Sequence, residues 1–353
     1  MNSLLLNRHQ RTTCGLIAFV MVSIGFADTS GAQESRTPQW LRQGFSVKVS
    51  HRRDNGEMMQ LVDPILASVQ QSVVQVTSGG RPVALGTVVG ADGYVLTKRS
   101  ELSGGDPIRV RLHDGRLLPA RVAAVRRAND LALLKVDANF DFKPAEFYPQ
   151  QPPVGSFLIT PGRTGRPIGI GSLGVLERRV EHKGRLGVVL GNSTNGRARV
   201  EGVWPDSGAD EAGIEPEDQI IAINGQEVFN SDNVINTLRG MFPGESVQLT
   251  ILRSGSTMEM NAGIREFGVL QESENDSRVN GPRNVRLSGF DRVFQHDTVL
   301  DPDQCGGPVL DSSGRVIGLN IARAGRVVSY ALPSSLLLPE MVNMLQEARG
   351  SAN

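Results

Sequence analysis

Cysteine is nearly absent: the 353 residues hold two, Cys14 and Cys305. If the first leaves with an export signal, no intrachain disulfide can form, and packed cores must carry the stability. Aromatic residues are also few, with 2 Trp, 3 Tyr and 12 Phe. Charge of neither sign is in excess, since Lys plus Arg and Asp plus Glu number 37 each. Such a balance lacks the basic surplus that phosphate-backbone binding needs, which excludes nucleic acid as an expected partner. No stretch reaches the roughly 18 consecutive apolar residues of a membrane helix, so no span is expected once the start of the chain is removed. No His or Cys spacing suggests a metal site, and neither metal nor cofactor is expected.

What is present points to a globular, mainly β chain. Apolar residues make up 39%. With glycine counted among them the share is roughly half, which is globular rather than disordered. The 40 glycines beside so few aromatics imply many turns.

Arg8 and Arg11 precede an uncharged run from Thr12 to Ala27, followed by the small residues Ser30-Gly31-Ala32. This layout reads as a secretory signal peptide over 1–32, retained as an anchor if it is not cut. Either outcome places the protein in the periplasm or otherwise outside the cytoplasm. Residues 33–63 form a polar leader that is expected to be flexible. Asp63-Pro64 then opens a short helical segment with Ile65, Leu66 and Val69 on one face.

From Val73 the pattern is that of strands. Ile108, Val110 and Leu112 alternate with charged neighbours, and Asp114-Gly115 follows as a hairpin turn before Leu117 to Val125 returns. Leu131 to Val136 reads as a buried strand, and Pro152-Pro153 marks the end of a first barrel over 64–152. Two strands precede residue 184 and about four follow residue 285, so only together do 153–183 and 285–346 supply the six strands of a second barrel. Between them, 184–265 carries two helical signals amid strands, and 266–284 has the composition of a linker. Ser231 is the expected N-cap of the second of these helices, with Val234 and Leu238 on one face.

Two sets of motifs give these segments a family. Gln304-Cys305-Gly306-Gly307-Pro308-Val309-Leu310, with Gly314 to Asn320 after it, resembles the nucleophile loop and next hairpin of HtrA/Do-type trypsin-like peptidases. Gly86 to Val89 with Ala91 to Thr97 resembles the strands leading to that family's catalytic His, and Asn129 to Val136 the strand carrying its Asp. Residues Gly184-Arg185-Leu186-Gly187-Val188, Ser207 to Ile214 and Asp218 to Gly225 are similar to a PDZ domain. The resemblance implies a double six-stranded β-barrel of trypsin type with a PDZ domain, and the order of the motifs together with the strand count places that domain inside the second barrel. In the family the PDZ domain follows the completed peptidase, so the order here departs from it.

The residues that would carry acyl transfer also depart. Alignment puts Ser100 where the His should stand and Cys305 where the nucleophilic Ser should, while Asp130 is in place. A hydroxyl has no basic nitrogen with which to accept a proton near neutral pH. Asp130 then serves as a strand-end carboxylate, capping backbone or pairing with Arg126 or Arg127. Asp303 replaces the glycine whose N–H helps hold the oxyanion, and a carboxylate there repels the developing charge. Among the histidines, His51, His113, His182 and His296 all miss the aligned base position and read as surface or strand-face residues.

These departures make the leading expectation a non-catalytic peptidase homologue, with an active endopeptidase using Cys305 and a base from elsewhere as the alternative. The PDZ resemblance implies that the N–H groups of Leu186, Gly187 and Val188 hold a peptide's terminal carboxylate, with Val234 and Leu238 lining an apolar pocket. C-terminal or unfolded polypeptide segments are the expected partners. The family also implies trimers through the leader, where Trp40 and Phe45 offer anchors.

Overall fold

A computed structural model of the protein describes residues 55–102 and 104–350. The expected signal peptide, His51 and most of the leader lie outside the described residues. The rest of the leader is not irregular: α1 (Gly56–Val62) is capped by the Asn55 side chain, which accepts from Met58 N at 2.9 Å. A 3-10 turn over Asp63–Ser68 continues it and buries Leu66.

The first barrel contains β1 (Val73–Ser78), β2 (Arg81–Val88), β3 (Tyr94–Lys98), β4 (Ile108–Arg111), β5 (Leu117–Arg126) and β6 (Leu131–Val136). They close in the order β1-β2-β3-β6-β5-β4, all antiparallel. The run Leu131 to Leu134 is wholly buried because alternate side chains enter the barrel and the others meet the second half of the molecule. Each such leucine contributes ~1.5–3 kcal/mol on leaving water. The Asp114-Gly115 turn forms as its sequence requires, with Gly115 at φ 92° and the Asp114 carboxylate accepting from Arg116 N at 3.0 Å.

The second barrel starts with β7 (Phe157–Pro161) and β8 (Pro167–Val180) and is then interrupted. The interruption holds β9 (Gly184–Arg185), β10 (Val188–Asn192), β11 (Ala198–Val203), α2 (Gly208–Glu211), β12 (Gln219–Ile223), β13 (Gln226–Glu227), α3 (Ser231–Leu238), β14 (Ser246–Arg253), β15 (Ser256–Gly263) and β16 (Arg265–Glu266). A sheet ordered β10-β11-β12-β14-β15, with β13 on β12, packs its own core of Val200, Ile220, Leu249 and Ile251. Entry and exit meet as the β9–β16 ribbon, where Gly184 lies opposite Glu266, so the inserted unit hangs from one neck.

The chain returns through α4 (Phe267–Leu270) and α5 (Glu274–Asn280), so the expected linker carries helix instead. The reason is a reciprocal cap: Ser273 Oγ accepts from Asp276 N at 3.2 Å while the Asp276 carboxylate accepts from Ser273 N at 3.4 Å. Strands β17 (Phe290–His296), β18 (Pro308–Asp311), β19 (Val316–Gly325) and β20 (Val328–Pro333) then close the barrel in the order β17-β20-β19-β18-β7-β8. The final helix, α6 (Ser334–Gly350), turns back onto the first barrel, with Arg126 paired to Glu340 at 3.0 Å and to Glu347 at 2.9 Å. One apolar core runs through both barrels and this helix, joining Leu96 and Leu133 to Leu319, Leu337 and Met344.

Candidate functional site

β3 ends at Lys98 and β6 begins at Leu131, and the short connections beyond them bring Ser100 to Asp130. Asp130 adopts φ 57°, a left-handed conformation that an aspartate tolerates. Its carboxylate accepts from Ser100 Oγ at 2.8 Å and from Ser100 N at 2.8 Å. Burial holds the Asp130 carboxyl above the usual carboxylate range, against the Lys98 and Arg286 charges and the two Ser100 bonds. The expected capping of backbone by Asp130 is therefore present, but the expected pairing with Arg126 or Arg127 is not. Arg126 goes to α6, and Arg127 goes to Glu245 at 2.6 Å.

Sequence reasoning missed Lys98, whose side chain is fully buried beside this pair. Its ammonium donates to Glu101 Oε1 at 3.0 Å. Burial would lift the Glu101 carboxyl, but the Lys98 charge and hydrogen bonds from Asn284, Lys98 and Val285 hold it below its usual range. Only a charged residue closing an otherwise uncharged strand, Tyr-Val-Leu-Thr-Lys, signals Lys98 in the sequence.

Cys305 sits on a loop that is locked to the first barrel. Leu85 N donates to Cys305 O at 2.8 Å, and position 306 requires glycine, both for its φ of 99° and because a Cβ there would lie 2.1 Å from Leu85 O. The preceding residues form a capped 3-10 turn, Pro302–Gln304, in which Asp301 N donates to Gln304 Oε1 at 2.8 Å. This turn commits the Cys305 N–H to Pro302 O at 3.3 Å. Cys305 is fully buried. Burial pushes its thiol up to about 12, the Lys98 charge and a hydrogen bond with the Arg323 backbone opposing the shift. Asp303 lies two residues before it, half-buried, with its carboxyl raised by burial and by the Asp301 charge.

Among the described residues no imidazole joins this arrangement. His296 is not a surface or open strand-face residue but is buried in the second barrel, with Nδ1 2.8 Å from Thr298 Oγ1 and Nε2 2.9 Å from Asn320 Oδ1. Both ring nitrogens are thereby committed, and burial pushes its pKa down to about 4. His182 packs edge-on against Phe242 at 5.1 Å, and His113 tilts against Phe140. As arranged, Ser100 donates to Asp130 and can take no proton from the thiol.

A second candidate site lies on the inserted unit. Gly187 takes φ 93°, and a Cβ there would lie 2.1 Å from Ser207 Cβ. The carbonyls of this loop are occupied: Leu186 O accepts from Ala209 N at 3.0 Å and Gly187 O from Trp204 N at 2.8 Å. The N–H groups of Leu186 and Gly187 donate to no backbone carbonyl among the described residues. Val188 pairs with Val203, and β10 has no strand on its outer side among the described residues.

Helix α3 packs beside β10, with Ser231 N donating to Asn192 Oδ1 at 2.9 Å. Its N-cap is Asn230, one residue before the expected Ser231, because the longer Asn230 side chain reaches Asn233 N at 2.9 Å. Val234 is fully buried in the core of the unit and Leu238 is half-buried against it. Ile235 is the more exposed apolar residue of the helix.

Comparison with known proteins matches both parts. A PDZ domain model matches residues 184–264, and a trypsin-like peptidase domain model matches residues 84–212. A "Probable periplasmic serine endoprotease DegP-like" of Hahella chejuensis is 26% identical over 276 residues, 54% of this chain and 58% of that protein. One of the same description from Ectopseudomonas mendocina is 24% identical over 315 residues, 66% of this chain and 65% of that protein. The chain thus spans about three fifths of the length of the curated relatives it matches. Among solved structures, the apo MamO protease domain from Magnetospirillum magneticum aligns with 78% of this chain and 97% of its own at 18% identity, with a TM-score of 0.39.

Proposed function

We propose, from the premise that this chain is a homologue of the HtrA/Do-type trypsin-like peptidases carrying a PDZ domain, that it holds polypeptide segments without hydrolysing them. The reading places it beyond the cytoplasmic membrane, as a scaffold, a chaperone-like holder or a regulator. The observation that carries it is the hydroxyl of Ser100, at the position of the base, spent as a donor to Asp130. A buried thiol with no base beside it among the described residues, and an amide turned onto Pro302 O instead of free for an oxyanion, support the same reading. Loss of one triad member alone costs several orders of magnitude in rate.

The peptide-holding part is supported by the edge of β10, open among the described residues, and by the N–H groups of Leu186 and Gly187, which meet no backbone carbonyl there. An extended C-terminus adds there as a strand, its carboxylate at the loop and its last side chain toward Leu238. Among the described residues no helix is long and apolar enough to cross a membrane. Two measurements on the purified chain test the reading. Peptides with a free apolar C-terminus should bind and their C-terminal amides should not, while an unfolded protein substrate should survive incubation. Cleavage that disappears in Cys305→Ala would establish the cysteine peptidase instead.

A further inference from the structure

The segment that brings the chain back from the inserted unit passes between residues of the two barrels at Asn284, which is 3% exposed. The Asn284 backbone N–H donates to Arg323 O at 3.3 Å, and its side-chain Oδ1 accepts from Arg323 N at 2.7 Å. Its Nδ2 donates to Glu101 Oε1 at 2.9 Å and to Pro302 O at 3.0 Å. One side chain therefore reaches the first barrel at Glu101, the second barrel at Arg323 and the loop that carries Cys305. Pro302 O also receives the Cys305 N–H, so Asn284 and Cys305 share one acceptor. Val285 N adds a bond to Glu101 Oε1 at 3.2 Å, and Arg323 reaches back to Asn280 O at 3.2 Å.

Just before this segment the anchorage changes. Neither α4 nor α5 buries a side chain, and α5 is tied mainly at its ends, where Glu272 binds Asn280 Nδ2 at 3.2 Å and Arg283. A firmly seated end joined to a lightly held helix can open locally without unfolding either barrel.

We propose that residues 280–285 are a strap that seals the cleft over the Cys305 loop, and that its local release is what exposes the thiol. This does not depend on whether the inserted unit binds peptides, since both readouts concern the cleft alone. The test follows reaction of Cys305 with a disulfide reagent in the wild-type chain as urea is raised below the unfolding transition, and repeats it in Asn284→Ala. Local release should give a urea dependence much shallower than that of global unfolding, and Asn284→Ala should react about tenfold faster or more while remaining folded. A wild-type rate whose urea dependence equals that of global unfolding would overturn the strap, as would a folded Asn284→Ala that reacts no faster. If Asn284→Ala does not fold, the wild-type urea dependence decides alone.

Discussion

At the scale of single residues, the same substitution of chemistry recurs: groups that could handle protons are present but engaged elsewhere. Ser100 donates a hydrogen bond to Asp130, Lys98 donates one to Glu101, and both nitrogens of His296 are taken by Thr298 and Asn320. His296 yields a signed prediction. Its folded-state pKa is depressed, from the usual 6.5 to about 4. Between these values the unfolded chain binds a proton that the folded chain refuses, so stability is full above about pH 6.5 and falls as the pH drops toward 4. Urea unfolding of wild type and His296→Gln should diverge accordingly, the wild type losing about 2 kcal/mol more than the variant between pH 7 and pH 5. Parallel losses would mean that the folded ring titrates near the ordinary 6.5, as an exposed imidazole does. The position of Ser100 beside Asp130 was legible from motif alignment, because the family fixes the spacing of both. Lys98 was not, since nothing local in a sequence tells whether a strand-end lysine points to water or to a buried glutamate.

At the scale of elements, strands and tight turns were legible and caps were only partly so. Alternation and the Asp-Gly pair located β4, β5 and the turn between them, because those signals are set by backbone sterics within a few residues. The helix α5 escaped because its cap is Ser-x-x-Asp in a stretch whose composition is that of a linker, and the N-cap of α3 slipped by one residue between two competent polar side chains. The loop before β10 is where an element meets function. Gly187→Ala forces a side chain into positive φ against Ser207, so it distorts the N–H groups offered to a carboxylate. The expected outcome is peptide affinity reduced by about tenfold or more, measured by calorimetry or fluorescence anisotropy, with the barrels' own unfolding unchanged. Undiminished affinity would move the peptide site away from this loop.

At the scale of the whole molecule, the insertion was legible from strand counting, since six strands close a barrel only if the segments on either side of the inserted unit are pooled. What locks the parts together was not, because each partner is distant in sequence. Glu245 of the inserted unit takes Arg99 at 3.1 Å and Arg127 at 2.6 Å from the first barrel. Arg286 lies deeper, fully buried, its guanidinium donating to the carbonyls of Arg127, Ala128, Ser288 and Gly289. It stacks between Phe242 of the inserted unit at 3.9 Å and Phe290 of the second barrel at 4.8 Å. Burial pulls even this guanidinium down to about 10, against the charges of Asp130 and Glu245, so it remains charged at neutral pH. Arg286→Met keeps an apolar stem of similar length but leaves carbonyls from both barrels without a donor in a dry site. The loss should exceed about 3 kcal/mol, well above that of a surface arginine. Because the contact joins three parts, calorimetry should show one transition for the wild type and two for the variant, with the inserted unit unfolding apart from the barrels. A single transition displaced by less than about 1 kcal/mol would mean that the apolar core and Glu245 hold the parts together without it.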